Sequence, residues 1–177
     1  MDFPEYSPDH CPDCGEELLS EHRDGRGRLY CRNCGQIVWL NPDIAAGFIV
    51  QKEDEFLFQK RKIDPHSGKW SIPAGYLEID EAPIEAAERE LEEETGLEVT
   101  GETSFVGHVQ LRHPDERRVI VAVFHVDFED VEGELSPEEE EVEKLEFWKF
   151  EEILSRRDEL DYTDYLELIG ELREDLS

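Results

Sequence analysis

The sequence has 177 residues, with 47 Asp and Glu against 18 Lys and Arg, a formal net charge of −29. Neutralising nucleic-acid phosphates or an anionic membrane takes clustered Lys and Arg, so this balance argues against both as partners. Only 38% of residues are hydrophobic, but they fall in short patterned runs, which points away from an acidic disordered chain and toward one ordinary domain with a small appendage.

In chain order, the opening MDFPEYSPDH has neither the basic start nor the apolar core of a secretory signal, and no run of about 18 apolar residues follows anywhere. A cytoplasmic, reducing location is therefore expected. The acidic residues are spread along the whole chain. Such a charge repels itself over about 10 Å at 0.1 M salt and about 3 Å at 1 M, so the expected setting is a salt-rich cytoplasm, as in halophiles.

All four cysteines lie in the first 34 residues, as Cys11-Pro-Asp-Cys14-Gly15 and Cys31-Arg-Asn-Cys34-Gly35. Two such pairs, sixteen residues apart, have the spacing of a four-thiolate zinc site. Four soft ligands leave no open position, so Zn²⁺ there is expected to be structural. Between the pairs, a polar turn at Asp24-Gly25-Arg26-Gly27 flanked by Leu18-Leu19 and Leu29-Tyr30 predicts a hairpin. Two disulfides or a redox pair would use the same residues, but a reducing location and the glycine after each pair favour metal. The segment resembles zinc ribbons, which implies a small fold over residues 1–40 that supports the main fold or a dimer interface.

Asn41-Pro42 breaks the chain and opens a second domain, residues 41–177. Ala45 to Gln51 and Phe56 to Gln59 read as a hairpin, and Lys69 to Ala74 as a third strand. Ala82 to Thr95 reads as a helix, started by Asp80 or Glu81 before Pro83 and stopped by Gly96. Phe105 to Leu111, Val119 to Phe128 and Leu145 to Phe150 read as strands, Pro137 to Glu143 as an acidic loop, and Tyr162 to Leu172 as a helix. The class is α+β with a mixed sheet.

From Gly75 the sequence reads GYLEIDEAPIEAAERELEEETGL. On a helix, Glu90 and Glu94 are i, i+4 neighbours with Glu93 beside them, an arrangement that destabilises the helix unless a cation sits among them. Hard carboxylate oxygens suit Mg²⁺ or Mn²⁺. Arg89, at i, i+4 to Glu93, is placed to orient that carboxylate. Gly75 is expected to let the chain turn before the helix. A solvated acidic helix face would look locally similar, but it leaves the joint placement of Gly75, Glu81, Arg89 and Gly96 unexplained.

Those positions, with Glu90, Leu91, Glu93, Glu94 and Leu97, match the Nudix box throughout, and the chain resembles Nudix hydrolases over most of residues 42 to 155. The resemblance implies a Nudix-type α/β/α sandwich and a divalent-metal-dependent hydrolase. Its substrate would be a nucleoside diphosphate linked to another moiety. It further implies metal ligands at Glu90, Glu93 and Glu94 and at the carbonyl of Ala74. The base comes from the box, Glu90 or Glu93, or from a downstream loop, where Glu141 among Glu138, Glu139, Glu140 and Glu143 is the candidate. Glu78 is a supporting candidate.

Arg61, Lys62, Arg112, Arg117 and Arg118 are candidates for substrate phosphates, and Phe48, Trp70, Tyr76 and Phe105 for stacking on a base. His108 and His125 are expected to pack within strands, whereas His66 and His113 fall in loops. A zinc ribbon before a Nudix domain resembles NADH pyrophosphatases, but their Ser-Gln-Pro-Trp-Pro-Phe-Pro stretch and further N-terminal domain have no counterpart in this sequence. RKIDPHSGKWSIPAGYLE looks closer to the zinc-ribbon group acting on ADP-ribose or FAD. His113-Pro114 lies near where ADP-ribose pyrophosphatases carry a proline, and Asp80 departs from the commoner Gly. Hydrolysis of oxidised nucleoside triphosphates and a non-catalytic nucleotide sensor are the alternatives.

Overall fold

In the computed structural model, which describes residues 7–174, the chain divides into two compact units. One comprises residues 1–42 and 112–118, the other residues 43–111 and 119–177. The first six residues of the expected ribbon and the last three of the chain lie outside the described residues.

In the first unit, β1 (Leu19–Arg23), β2 (Arg26–Cys31) and β3 (Gln36–Val38) form an antiparallel sheet in that order. Asp24 and Gly25 join β1 to β2 with φ of 50° and 76°, the left-handed pair that a two-residue hairpin turn needs. The expected hairpin is therefore present, with a turn of two residues where four were read. Arg112 and Arg117 are ion-paired to Glu116 and Asp115 within their own loop.

The second unit is built on a mixed sheet. Its elements are β4 (Asp43–Lys52), β5 (Glu55–Arg61), β6 (Trp70–Ser71), β7 (Ala74–Tyr76), α1 (Pro83–Thr95), β8 (Leu97–Val99), β9 (Thr103–Arg112), β10 (Arg118–Asp127), β11 (Val131–Gly133), β12 (Val142–Lys149), α2 (Phe150–Ser155) and α3 (Tyr165–Glu174). The sheet order is β12-β5-β4-β10-β9, with β6 paired to β5 and β7 to β4. β4 and β10 run parallel, β11 pairs with β8 in a small separate ladder, and the predicted β4–β5 hairpin is antiparallel. Side chains alternate across a strand, and both faces of this sheet are covered. On one face Ala46, Phe48, Val50 and Leu57 pack with Ala86, Ala87 and Leu91 of α1. On the other, Ile49, Phe56, Phe58 and Trp148 pack with Ile153 of α2 and Ile169 of α3. This is a three-layer α/β/α sandwich.

Three expectations need correction. The single strand read over Lys69 to Ala74 is two, interrupted at Ile72-Pro73; Pro73 has no amide to donate to a ladder, and its carbonyl accepts Phe48 N–H at 3.0 Å. The helix is not capped by Asp80 or Glu81. Ala82 is its N-cap, and the Glu85 carboxylate accepts Ala82 N–H at 2.7 Å. Phe150 opens α2 instead of closing the last strand.

Asp161 follows α2. Its amide donates to Trp70 O at 2.9 Å, and its carboxylate accepts Tyr162 N–H at 2.6 Å. Burial pushes its carboxyl up to about 7, against the pull of that N–H and of Arg61. A carboxyl raised in the folded state favours the fold below its ordinary value of 3.8, and that contribution is lost as pH rises toward 7. Asp161→Asn is expected to flatten the decline in melting temperature between pH 4 and 7, which thermal melts across that range would read.

Candidate active site

β7 precedes α1, and Gly75 lies against the carboxylate of Glu90 from the middle of that helix. A Cβ at Gly75 would stand 2.1 Å from the Glu90 carboxylate carbon, so glycine is needed there for close approach. This replaces the expected turn: Gly75 is a strand residue paired with Ala46. At the far end of α1, Gly96 takes φ of 75° and its amide closes on Glu92 O at 2.8 Å, ending the helix as expected.

Arg89 ties the carboxylates together. Its guanidinium forks onto Glu81 with Nε–Oε1 at 2.6 Å and Nη2–Oε2 at 3.0 Å, while Nη1 donates to Glu90 at 2.7 Å and Glu93 at 3.0 Å. Nη2 also donates to the Tyr76 carbonyl at 3.1 Å, fixing the loop between β7 and α1. The bond to Arg89 holds Glu81 down at about 2, helped by the Glu78 amide.

Glu94 points the other way, into the protein. It is 6% exposed and accepts Ala74 N–H at 2.9 Å, and the buried Gln59 pulls its carboxyl down. Burial pushes its carboxyl up to about 8, and burial also raises Glu90. Three carboxylates, Glu81, Glu90 and Glu93, thus share one guanidinium, and the two most buried of the cluster, Glu90 and Glu94, resist ionising without further positive charge. That unmet demand, in hard oxygen donors, fits a divalent cation.

The four cysteines converge separately. Their sulfurs all lie within 4.8 Å of one another, with Cys11–Cys34 at 3.9 Å and Cys14–Cys31 at 3.5 Å. These spacings are too long for disulfides and match the ~3.8 Å edge of a tetrahedron with metal–sulfur bonds of about 2.3 Å. The two knuckles are alike, Gly15 N–H bonding Cys11 O and Gly35 N–H bonding Cys31 O, each at 2.9 Å. The Glu16 amide lowers the Cys14 thiol to about 6, whereas bonding to Cys14 raises Cys34, so the sulfurs do not ionise together without a cation.

Residues 41–169 match the NUDIX domain. The chain belongs to the Nudix family. An ADP-ribose pyrophosphatase of Methanocaldococcus jannaschii is 36% identical over 99 residues, which cover 55% of this chain and 57% of that relative's length. The phosphatase NudJ of Escherichia coli K12 is 32% identical over 117 residues, covering 65% and 73%. A crystal structure of a NUDIX hydrolase from Nitrosomonas europaea shares the fold with a TM-score of 0.66 at 22% identity, covering 94% of this chain and 93% of that one.

Within the Nudix unit, the other predicted residues divide. Among the described residues, the cysteines are the only group of His, Cys, Asp or Glu whose ligand atoms all fall within 4.8 Å, so the box carboxylates are linked through Arg89 and not closed on one point. Glu78, Glu81, Arg89 and Glu93 line a cleft of about 550 Å³ together with Asp80 and Glu85. The 138–141 loop runs beside the end of α1, where Glu138 N–H bonds Glu94 O at 3.3 Å and Glu141 O accepts Lys62 N–H at 2.7 Å. The charge of Glu141 is felt at Glu90, and those of Glu141 and Glu93 at Glu138. Tyr76 is exposed, and Arg61 acts on Glu94 electrostatically while its Nε bonds Pro65 O at 3.3 Å.

Trp70 is a correction: it is 4% exposed and packs 4.7 Å from Trp148, so it is core and offers no ring face to a substrate. Phe48 is core as well, whereas Phe105 is exposed. His125 bonds Gln51 at 3.0 Å, as a packing residue should, but His108 is exposed and is not one; His66 meets Tyr162. Arg112 falls in the other unit. Sequence reasoning missed Gln59 and the Tyr76 carbonyl. A glutamine among the apolar residues of FLFQ was the available signal for the first; a backbone carbonyl leaves none.

Proposed function

We propose that the protein is a divalent-cation-dependent pyrophosphohydrolase acting on a nucleoside diphosphate linked to another moiety, ADP-ribose before NADH or FAD. The products are a nucleoside monophosphate and a phosphorylated remainder. The observation that carries this reading is the gathering of Glu81, Glu90 and Glu93 on Arg89 beside the buried Glu94. The likeness to the Methanocaldococcus jannaschii ADP-ribose pyrophosphatase supports the substrate class.

Glu90, Glu93 and Glu94, with Ala74 O and Glu141 as further donors, would hold Mg²⁺ or Mn²⁺, which when bound neutralises the pyrophosphate and makes water a better nucleophile. Glu93, the most exposed carboxylate of the three and held by Arg89, would accept the water's proton, with Glu141 as the other base; its exposure supports that role. Arg89 fixes the direction of both Glu90 and Glu93, and Arg61 contributes positive charge on the Glu94 side. Cys11, Cys14, Cys31 and Cys34 would hold Zn²⁺ in a structural role.

Turnover of ADP-ribose, NADH, FAD and an oxidised nucleoside triphosphate, measured in molar KCl with Mg²⁺ or Mn²⁺ and again with chelator, tests the reading. Release of nucleoside monophosphate from the first three, lost on chelation, is expected. Preference for the triphosphate overturns the substrate class, and nucleotide binding without turnover overturns the enzyme.

Gly75→Ala is expected to lower kcat by about 10²-fold, because displacing Glu90 by an ångström is enough to spoil the arrangement. The carboxylate is the end of a flexible side chain, so circular dichroism should show the fold retained.

We also place the protein in a salt-rich cytoplasm. With a net charge of −29, its melting temperature is expected to rise by roughly 5 °C or more between 0.1 and 2 M KCl as repulsion is screened, which would reflect only about 2 kcal/mol. A flat or falling series refutes this placement.

A further inference from the structure

We infer that one face of the β1–β3 sheet is a homodimer interface, which receives the acidic surface of a second copy's Nudix unit. Strand alternation puts Arg26, Arg28 and Tyr30 on one face of β2, and the register adds Glu21 and Arg23 from β1 and Ile37 from β3. Arg23 stacks over the Tyr30 ring at 4.0 Å and Arg28 over Trp39 at 4.7 Å, and Trp39 is still 58% exposed. Arg23 is paired with Glu21 at 2.9 Å, the sole carboxylate at these positions. Among the described residues, no ion pair involves Arg26 or Arg28, and the Arg28 Nε is buried without a hydrogen-bond partner. A chain with 47 carboxylates leaves these cations unmatched.

The distribution of cations sharpens this. The unit formed by residues 1–42 and 112–118 holds seven of the 12 Arg and none of the six Lys, for seven cations against ten acids and a net charge of −3. The remaining −26 belongs to the Nudix unit. Arg, Trp and Tyr dominate the buried centres of protein interfaces and Lys is depleted there, whereas a merely solvated surface has no reason to exclude Lys. Charge complementarity then selects the occupant. A nucleic acid is opposed by the overall field, but a protein surface dense in carboxylates matches the face. A second copy supplies that surface, and two reciprocal contacts close a two-fold dimer. In molar salt such attraction acts only at contact, which suits planar guanidinium–carboxylate pairs held by stacked rings.

Sedimentation velocity of the zinc-loaded full chain in 1–2 M KCl, across a concentration series, tests the proposal. A dimer is expected, with its dissociation constant raised about 30-fold or more by Trp39→Ala or Arg28→Glu. Zinc content per chain reports whether each variant keeps its ribbon. Should either lose zinc, Arg26→Glu carries the test, since among the described residues Arg26 is exposed and makes no ion pair or ring contact. A monomer at every concentration overturns the proposal, as does a dimer indifferent to these substitutions. So does a monomer that binds a single-stranded oligonucleotide through the same arginines.

Discussion

Glu94→Gln is expected to lower hydrolysis by about 10³-fold while leaving the metal-free protein at least as stable as before. The substitution keeps the shape of the side chain and an oxygen to accept Ala74 N–H, which lies 2.9 Å away. It removes a negative charge from a position only 6% exposed, where burial has already pushed the carboxyl up to about 8. Ionising that group without a cation opposes folding, so its raised value costs stability as pH climbs from the ordinary 4.5 toward 8. Glutamine has no such cost. The catalytic loss comes from the weakened hold on a divalent cation whose charge stabilisation is worth several kcal/mol. Steady-state rates with saturating Mn²⁺, paired with melts in chelator, separate the two effects. If the variant keeps more than a tenth of the activity, Glu94 is not a ligand.

The contrast between Glu94 and its neighbours shows what was legible in the sequence. Helical spacing alone brought Glu90, Glu93 and Glu94 together and placed Arg89 to orient Glu93, and the structure has that contact at 3.0 Å. Spacing did not reveal that Arg89 spends its strongest, two-pronged contact on Glu81, eight residues earlier, because that depends on the path of the loop between β7 and α1. Nor did it separate buried from exposed carboxylates along one helix, which is decided by the strands beneath. Gly75 was read as opening a turn, which is what a local pattern suggests, whereas the close approach of Glu90 is a tertiary fact. Trp70 failed in the same way. An aromatic residue in a short strand suits stacking or core equally well until its neighbours, here Trp148 and Phe58, are known. The α+β class with a mixed sheet followed from alternation and one strongly marked helix, whereas the α/β/α layering came only with the Nudix resemblance, because the six-residue α2 is too short to register a period.

Removing the metal that we propose the four cysteines hold is expected to unfold the proposed ribbon while the Nudix unit stays folded. In the described part of the ribbon, the buried hydrophobic residues are Cys11, Leu29 and Cys31, so two of the three are themselves thiols of the site. Three short strands with so little apolar burial do not offset the entropy of ordering some 35 residues, and structural zinc typically supplies about 10–16 kcal/mol in such domains. The Nudix unit has no such dependence, because it carries two apolar clusters on opposite faces of its sheet. Hydrogen exchange after chelation should therefore show amides of residues 19–38 losing protection while those of β4, β5 and α1 keep theirs. Cys31→Ser should reproduce that pattern without chelator, since Cys31 is fully buried and its sulfur also accepts Cys34 N–H at 3.3 Å. Protection retained by the ribbon strands after the zinc has left would mean that the sheet holds itself together, and the cysteines would then need another explanation.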